Sequence, residues 1–247
     1  GRKIERPVLP PRKSEPSDKD VVLKIENLKV DMPGERVREL NLAVRRGEIL
    51  GIGGLAGHGK VGIANGVIGM YPASGLVTKD GVRIPLNDPK HALLSGMAFV
   101  SEDRRGVGLL LDESIEMNII LTAMQVQGKF LQPGVLPSLR LEDRAAMREH
   151  ALSVIRDLDI RCTGPAQLVR RLSGGNQQKV CLGRAFTMEP EVLWVSEPTR
   201  GIDVGAKQLV LDLLVKFNRE HGMTIVMTSS ELGELRKICD RIAIVYR

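Results

Sequence analysis

Residues 54–64 read GLAGHGKVGIA, and the reading of this stretch decides the fold. An apolar run, EILGIGG (48–54), leads into it, and a helix-permissive stretch follows. Gly54, Gly59 and Lys60 fit the phosphate-loop template of glycine, four residues, glycine, lysine and a hydroxyl residue. Glycines at those places let main-chain N–H groups turn inward around phosphate oxygens. A helix starting near Lys60 aims its positive end at the same spot, and the lysine reaches the outer phosphates. The last position departs from the template: Val61 stands where a hydroxyl would hold a magnesium ion. Taken alone, the stretch is equally compatible with a glycine-rich strand-to-helix turn carrying a surface lysine.

Two further pieces lie far downstream. In LSGGNQQKV (172–180), Ser173 suits the N-cap of a helix running through NQQKVCLGRAF. Gly174 and Gly175 would then present N–H groups at that helix's positive end, a place that suits a terminal phosphate. In VLWVSEPTRGID (192–203) an apolar strand ends at Ser196-Glu197. Hydrolases with a phosphate loop end this strand in an aspartate that holds magnesium. Here Ser196 takes that place, and Glu197 follows as a candidate for polarising an attacking water.

Organisation along the chain agrees with a phosphate-loop protein. VVLKIENLKV (21–30) and VRELNLAV (37–44) alternate apolar and polar residues on either side of the turn signal MPGE (32–35). GLVTKDGVRI (75–84) is a hairpin with Asp80-Gly81 at its tip. In residues 141–160, Met147, Ala151, Val154, Ile155 and Leu158 share one helical face. Strands at 192–196, 224–229 and 241–246 then alternate with helices near 205–219 and 231–239. Such alternation argues for a parallel sheet with helices on both faces. GRKIERPVLPPRKSEPSDKD (1–20) is proline-rich, charged and poor in large apolar residues, so a linker is expected there, with a further segment before it.

Composition narrows the chemistry. Aromatics make up only 3% of the 247 residues, so the core must be aliphatic. Cys162, Cys181 and Cys239 are odd in number and lack metal-ligand spacing, which fits reduced thiols. No apolar run approaches about 18 residues, so no membrane-spanning helix is expected. A net charge of +6 leaves nucleic acid open. Yet the few Phe, Tyr and Trp are not interleaved with basic residues, so no nucleic-acid partner is expected.

From residue 21 onward the chain resembles the nucleotide-binding cassette of ABC transporters. LSGGNQQKV followed by EPTRGIDVGAK (197–207) looks like the ribose- and galactose-type carbohydrate-import ATPases, which carry two cassettes on one polypeptide. The residues around the opening GRKI are similar to the junction between the two, so this chain looks like the second, C-terminal cassette. The resemblance implies a phosphate-loop α/β core over 21–247, with an N-terminal antiparallel β-subdomain and a helical subdomain at about 104–180. It implies ATP as the ligand, bound by Gly54, Leu55, Ala56, Gly57, His58, Gly59, Lys60 and Val61. Glu102 stands at the usual glutamine position in FVSEDRRG (99–106). It implies Leu172, Ser173, Gly174, Gly175, Asn176 and Gln177 as a signature acting on the nucleotide of a facing cassette. Glu197 becomes the catalytic carboxylate, Asp203 the D-loop residue, and Ser230 occupies the place of the switch histidine. Residues 102–119 fall where a permease helix would dock.

The departures carry an energetic expectation. Loss of one well-placed stabilising group costs about 3–4 kcal/mol in the transition state, a factor of roughly 10² to 10³. Val61 and Ser196 both remove magnesium ligands, so slow hydrolysis, weakly held or absent Mg²⁺ and surviving main-chain binding of ATP are expected. The implied partners are an N-terminal cassette of the same polypeptide, transmembrane permease subunits and, indirectly, a solute-binding protein. The implied location is cytoplasmic, at the periphery of the membrane. The alternatives are a non-hydrolysing regulatory or structural half and, behind it, an ABC protein associated with nucleic acid.

Overall fold

Val21–Val30 (β1) buries Val22, Leu23, Ile25, Leu28 and Val30; its period of two is interrupted between Ile25 and Leu28, where the ladder shifts register and Asn27 has a positive φ of 51°. It pairs antiparallel with Val37–Arg45 (β2), placing Leu23 opposite Val44 and Ile25 opposite Leu42. On its other edge it pairs with Ala73–Lys79 (β4), which turns at Asp80-Gly81 into Val82–Ile84 (β5). Both turn residues have positive φ, 51° and 76°, the geometry that makes Asp-Gly a hairpin tip. The strand order of this sheet is β2-β1-β4-β5. These coordinates form a computed structural model that describes residues 16, 17, 20–132 and 141–246. The linker expected over 1–20 lies outside the described residues except at 16, 17 and 20.

The second sheet has five strands. Ile49–Gly54 (β3) lies between Thr224–Thr228 (β8) and Arg241–Val245 (β9), parallel to both. Val192–Ser196 (β7) adds to β8, also in parallel, and Met97–Val100 (β6) completes the order β6-β7-β8-β3-β9. Strands β7 and β8 are buried along their whole length and read as continuous apolar runs, as strands covered on both faces do. Lys60–Ile68 (α1) covers one face: Ile63, Ala64 and Val67 join Leu50, Ile52, Trp194 and the inner face of β1 in one apolar cluster. On the other face Gly51 and Gly53 lack the Cβ atoms that would press on Leu235 of Leu232–Ile238 (α7).

The chain divides into two compact units, one holding both sheets and the other holding residues 100–190 and 199–210. In the first unit Pro89–Leu94 (α2), capped by Asp88, is a short helix that the sequence pattern does not announce. The second unit contains Ile115–Gln127 (α3), Arg144–Asp157 (α4) and Gly174–Thr187 (α5). Met147, Ala151 and Leu158 of the expected helical face are buried, and Val154 and Ile155 are partly so. Gly183 of α5 makes this packing possible, because a Cβ there would lie 2.7 Å from Val154. Arg184 donates to the carbonyl and the Oδ1 of Asn118, tying α5 to α3 at 2.7 and 2.6 Å. Val204–His221 (α6) begins in the second unit and ends in the first. None of the helices described is long and apolar enough to cross a membrane.

Candidate functional site

β3 ends at Gly54 and α1 begins at Lys60, so residues 54–60 form the loop between a central strand and a buried helix. Gly59 caps α1 with φ +91°, a conformation that side chains rarely adopt, and a Cβ there would sit 2.8 Å from the Arg36 carbonyl oxygen. Gly57 also has positive φ, +80°. Leu55 is exposed at 71%, Ala56 is exposed, and His58 is partly buried. The positive φ at both glycines turns the loop sharply before α1.

The amides are not bare. The carboxylate of Glu35 accepts from Gly57 N at 2.7 Å and from Gly59 N at 3.0 Å, with Val61 N at 3.4 Å. Both of its oxygens are thus taken up by amides of the loop and of the first residues of α1. α1 has no acidic residue in its first turn, so Glu35 supplies the negative charge that favours a helix start. Sequence reading missed this residue. It saw the turn MPGE, but the contact spans 22 residues and nothing local announces it.

Lys60 is engaged as well. Its side chain is only 2% exposed, and Nζ donates to the Gly54 carbonyl at 3.1 Å and to Ser230 Oγ at 2.8 Å. The Glu197 carboxylate lies 3.3 Å away and accepts from Ser230 Oγ at 2.7 Å and from Ser230 N at 3.0 Å. One hydroxyl therefore accepts from the lysine and donates to the glutamate. Glu197 itself sits at φ +46°, and its N–H is held by the Thr228 carbonyl at 3.0 Å. A positive φ on a glutamate is costly and persists where neighbours over-determine it. Lys60, Glu197 and Ser230 thus come together, with Ser196 at the strand end beside them.

Mg²⁺ takes a near-octahedral shell of oxygens, most of them from water and substrate phosphates and one or two from side chains. Val61 offers no donor, and Ser196 is completely buried with an Oγ that makes no hydrogen bond. The Glu197 carboxylate is already shared between Lys60 and Ser230. Among the described residues no group of three or more His, Cys, Asp or Glu could hold a metal ion.

The remaining predicted residues belong to the second unit. Ser173 is the N-cap of α5; its Oγ accepts from Asn176 Nδ2 at 3.0 Å and from Asn176 N at 3.4 Å. A Cβ on Gly174 would lie 3.2 Å from the Gly201 carbonyl oxygen, and one on Gly175 would lie 2.6 Å from the Ala206 Cβ. Residues 201–206 thus run directly over the two glycines. Asp203 caps α6 there, accepting from Ala206 N at 2.9 Å. Asn176 accepts from Arg161 N, and buried Gln177 donates to the Val169 carbonyl, so both serve the fold. Leu172 is buried. Arg104, which the sequence did not single out, donates to Gln177 Oε1 and to the Arg200 carbonyl, and burial pulls its pKa down. It lies in a π-helical turn, Arg104–Gly108. Glu102, just before that turn, is partly exposed and accepts from Ser101 Oγ at 3.4 Å.

Comparison with known proteins gives consistent matches. The ABC transporter family model matches residues 37–200. The galactose/methyl galactoside import ATP-binding protein of Treponema pallidum is 37% identical over 85% of this chain and 40% of that protein. The ribose import ATP-binding proteins of Rhizobium meliloti and Caldanaerobacter subterraneus are 39% and 34% identical over 87% and 91% of this chain. The chain spans about two fifths of the length of the curated relatives it matches. Solved structures share the fold, two of them as follows. An ATP-binding cassette solved as a dimer in a post-hydrolysis state with ADP and Pi has a TM-score of 0.73 at 22% identity, covering 90% of this chain and 94% of that one. A nucleotide-free cassette from an ABC transporter has a TM-score of 0.72 at 18% identity, covering 92% and 88%.

Proposed function

The chain belongs to the ABC transporter family, and on that premise we propose that it is one ATP-binding cassette of an importer for sugars or related solutes. The relatives' names support the solute class: each is an import ATP-binding protein for ribose, galactose or methyl galactoside. Their length supports a second cassette on the same polypeptide, since this chain accounts for about two fifths of each. Transmembrane permease subunits, docking near residues 102–119, and a solute-binding protein complete the proposed assembly at the cytoplasmic face of the membrane.

The two halves of the chain have different parts in this reading. Residues 54–61 with Glu197 and Ser230 form a nucleotide site that turns over slowly, if at all, and holds Mg²⁺ weakly. Ser173, Gly174 and Gly175 complete the site of the N-terminal cassette, whose own loop and strand-end carboxylates carry the hydrolysis. One observation carries the reading: Val61 and the unpartnered, buried Ser196 Oγ stand where magnesium ligands belong, whereas LSGGNQ is intact. Isolated, this cassette is expected to hydrolyse ATP weakly or not at all. A reading in which it never binds nucleotide is favoured by one observation, the Glu35 carboxylate in the cradle.

The test is ATP hydrolysis by the parent polypeptide assembled with its permease. Ser173→Arg is expected to abolish most of the activity, and Glu197→Gln to change it little. Ser173→Asn, which keeps a cap on α5, separates loss of the phosphate contact from loss of the helix start. Unchanged hydrolysis in Ser173→Arg would sink the donation model.

A further inference from the structure

We infer that Glu35 is a built-in competitor for the phosphate cradle: its carboxylate holds the main-chain N–H groups that a triphosphate needs, so nucleotide enters only by displacing the turn Asp31–Arg36. The inference rests on reading residues 54–60 as a nucleotide loop and adds the chain's own control over that loop.

The turn is built to deliver the carboxylate. Glu35 N donates to the Met32 carbonyl at 3.1 Å, and Pro33-Gly34 fill the two central positions, with Gly34 at φ +78°. Proline followed by a positive-φ glycine is the sequence of a type II turn. Arg36 then clasps Asp31 across the turn, with Nη2 2.8 Å and Nε 3.1 Å from Oδ1. The backbone of Glu35 and Arg36 lies against the first turn of α1 because two residues there lack a side chain. A Cβ on Gly62 would collide with the Glu35 carbonyl oxygen, and one on Gly59 would meet that of Arg36. Glycine at 62 has no role in the phosphate-loop template, and inside a helix it is less favourable than alanine. Its place is explained by the approach of this turn.

A second carboxylate completes the substitution. Glu197 meets the Lys60 ammonium, the group that would reach the outer phosphates. Both the N–H groups and the cation of the cradle are thus satisfied from within the chain.

The turn is also removable. Asp31 and Arg36 are each 68% exposed as side chains, and an exposed pair of this kind, screened by water, holds the turn only weakly. Pro33 and Gly34 are exposed, and the turn walls an open cleft of about 310 Å³ with His58, Leu40, Val245 and Tyr246. A triphosphate carries several negative charges to the carboxylate's one, so it wins when abundant. Until then the apparent affinity is lowered by the fraction of molecules whose cradle is open.

The experiment is equilibrium titration of the 247-residue chain with ATP and, separately, with inorganic triphosphate, both in the absence of divalent cations. Glu35→Ala is expected to tighten both ligands by about tenfold, the gain from emptying a site mostly held by its own plug. Glu35→Gln, which keeps an acceptor but not the charge, should gain less. Gly62→Ala pushes the turn away without touching the carboxylate or the cradle, and should shift both ligands the same way, serving as the second variant where Glu35→Ala does not fold. Equal affinity in wild type and in the folded variants overturns the competition and leaves the nucleotide reading standing. Failure of every form to bind either ligand at millimolar concentration overturns both. Tighter ATP with unchanged inorganic triphosphate also overturns it, since a plug on the phosphate cradle must act on phosphates alone.

Discussion

At the start of α1 a carboxylate from 22 residues away accepts from Gly57 and Gly59; at the start of α5 the cap is Ser173, a neutral hydroxyl from the adjoining residue. Neither helix has an acidic residue in its first turn. Both starts therefore carry the positive end of a helix, and only the first has its charge met by the chain itself. The lesson is that a glycine loop and a helix start do not by themselves make a working anion site. What decides is whether the remaining groups are committed inward or left for a ligand. Around Gly54–Lys60 the lysine, the strand-end glutamate and the cradle are committed inward. Around Ser173–Gly175 the internal bonds serve the helix and its neighbour, and Gly174 and Gly175 are small because residues 201–206 pass over them.

The largest effect expected from this contrast is in hydrolysis by the assembled parent. Ser173→Arg should lower it by roughly 10² to 10³, the loss that follows removal of one preorganised group from a phosphate transition state. Glu197→Gln should cost far less. A large loss in Glu197→Gln would erase the distinction between the halves.

Next in size is a stability effect. Gly175→Ala brings a Cβ within 2.6 Å of Ala206, so the second unit is overpacked. A cost of about 1–3 kcal/mol follows, seen as a fall of roughly 2–12 °C in Tm for a chain of this size. An unchanged melting curve would show that residues 201–206 do not press on α5.

The smallest effect concerns pH and the same unit. His150 Nε2 lies 2.9 Å from Thr187 Oγ1, and burial, with the Lys129 charge adding to it, holds its pKa below the ordinary value of 6.5. The folded form resists protonation more than the unfolded one. The stability this group contributes is present above pH 6.5 and is lost as the pH falls from 6.5 through the lower folded value. Melting of the wild type should decline over that range beyond the decline of His150→Gln. Parallel pH profiles would remove His150 from the account.

Much of the architecture was legible because it is written in local periodicity. Alternation placed β1 and β2, Asp80-Gly81 placed the hairpin, and Ser173 placed the start of α5. β6 and α2 were not legible: at four and six residues they are too short for a period to register, and β6 owes its place to the edge of a sheet assembled from distant segments. The site divides the same way. Gly54, Gly59 and Lys60 are legible as a loop motif, and Val61 and Ser196 as departures from its templates. Glu35 and the Lys60–Ser230–Glu197 chain do not appear, because each joins residues that only the fold brings together. An acidic residue after Pro-Gly looks like any turn until its carboxylate is found among the loop's amides.

The most direct test of the central claim, that the cradle of this chain works without a cation, is a calorimetric titration of wild type with ATP in the presence of Mg²⁺ and again in EDTA. Weak binding of equal strength in both is the predicted result, because Val61 and Ser196 give the ion no side-chain anchor. Binding that tightens tenfold or more with Mg²⁺ would contradict it and restore this half of the chain as a magnesium-dependent nucleotide site.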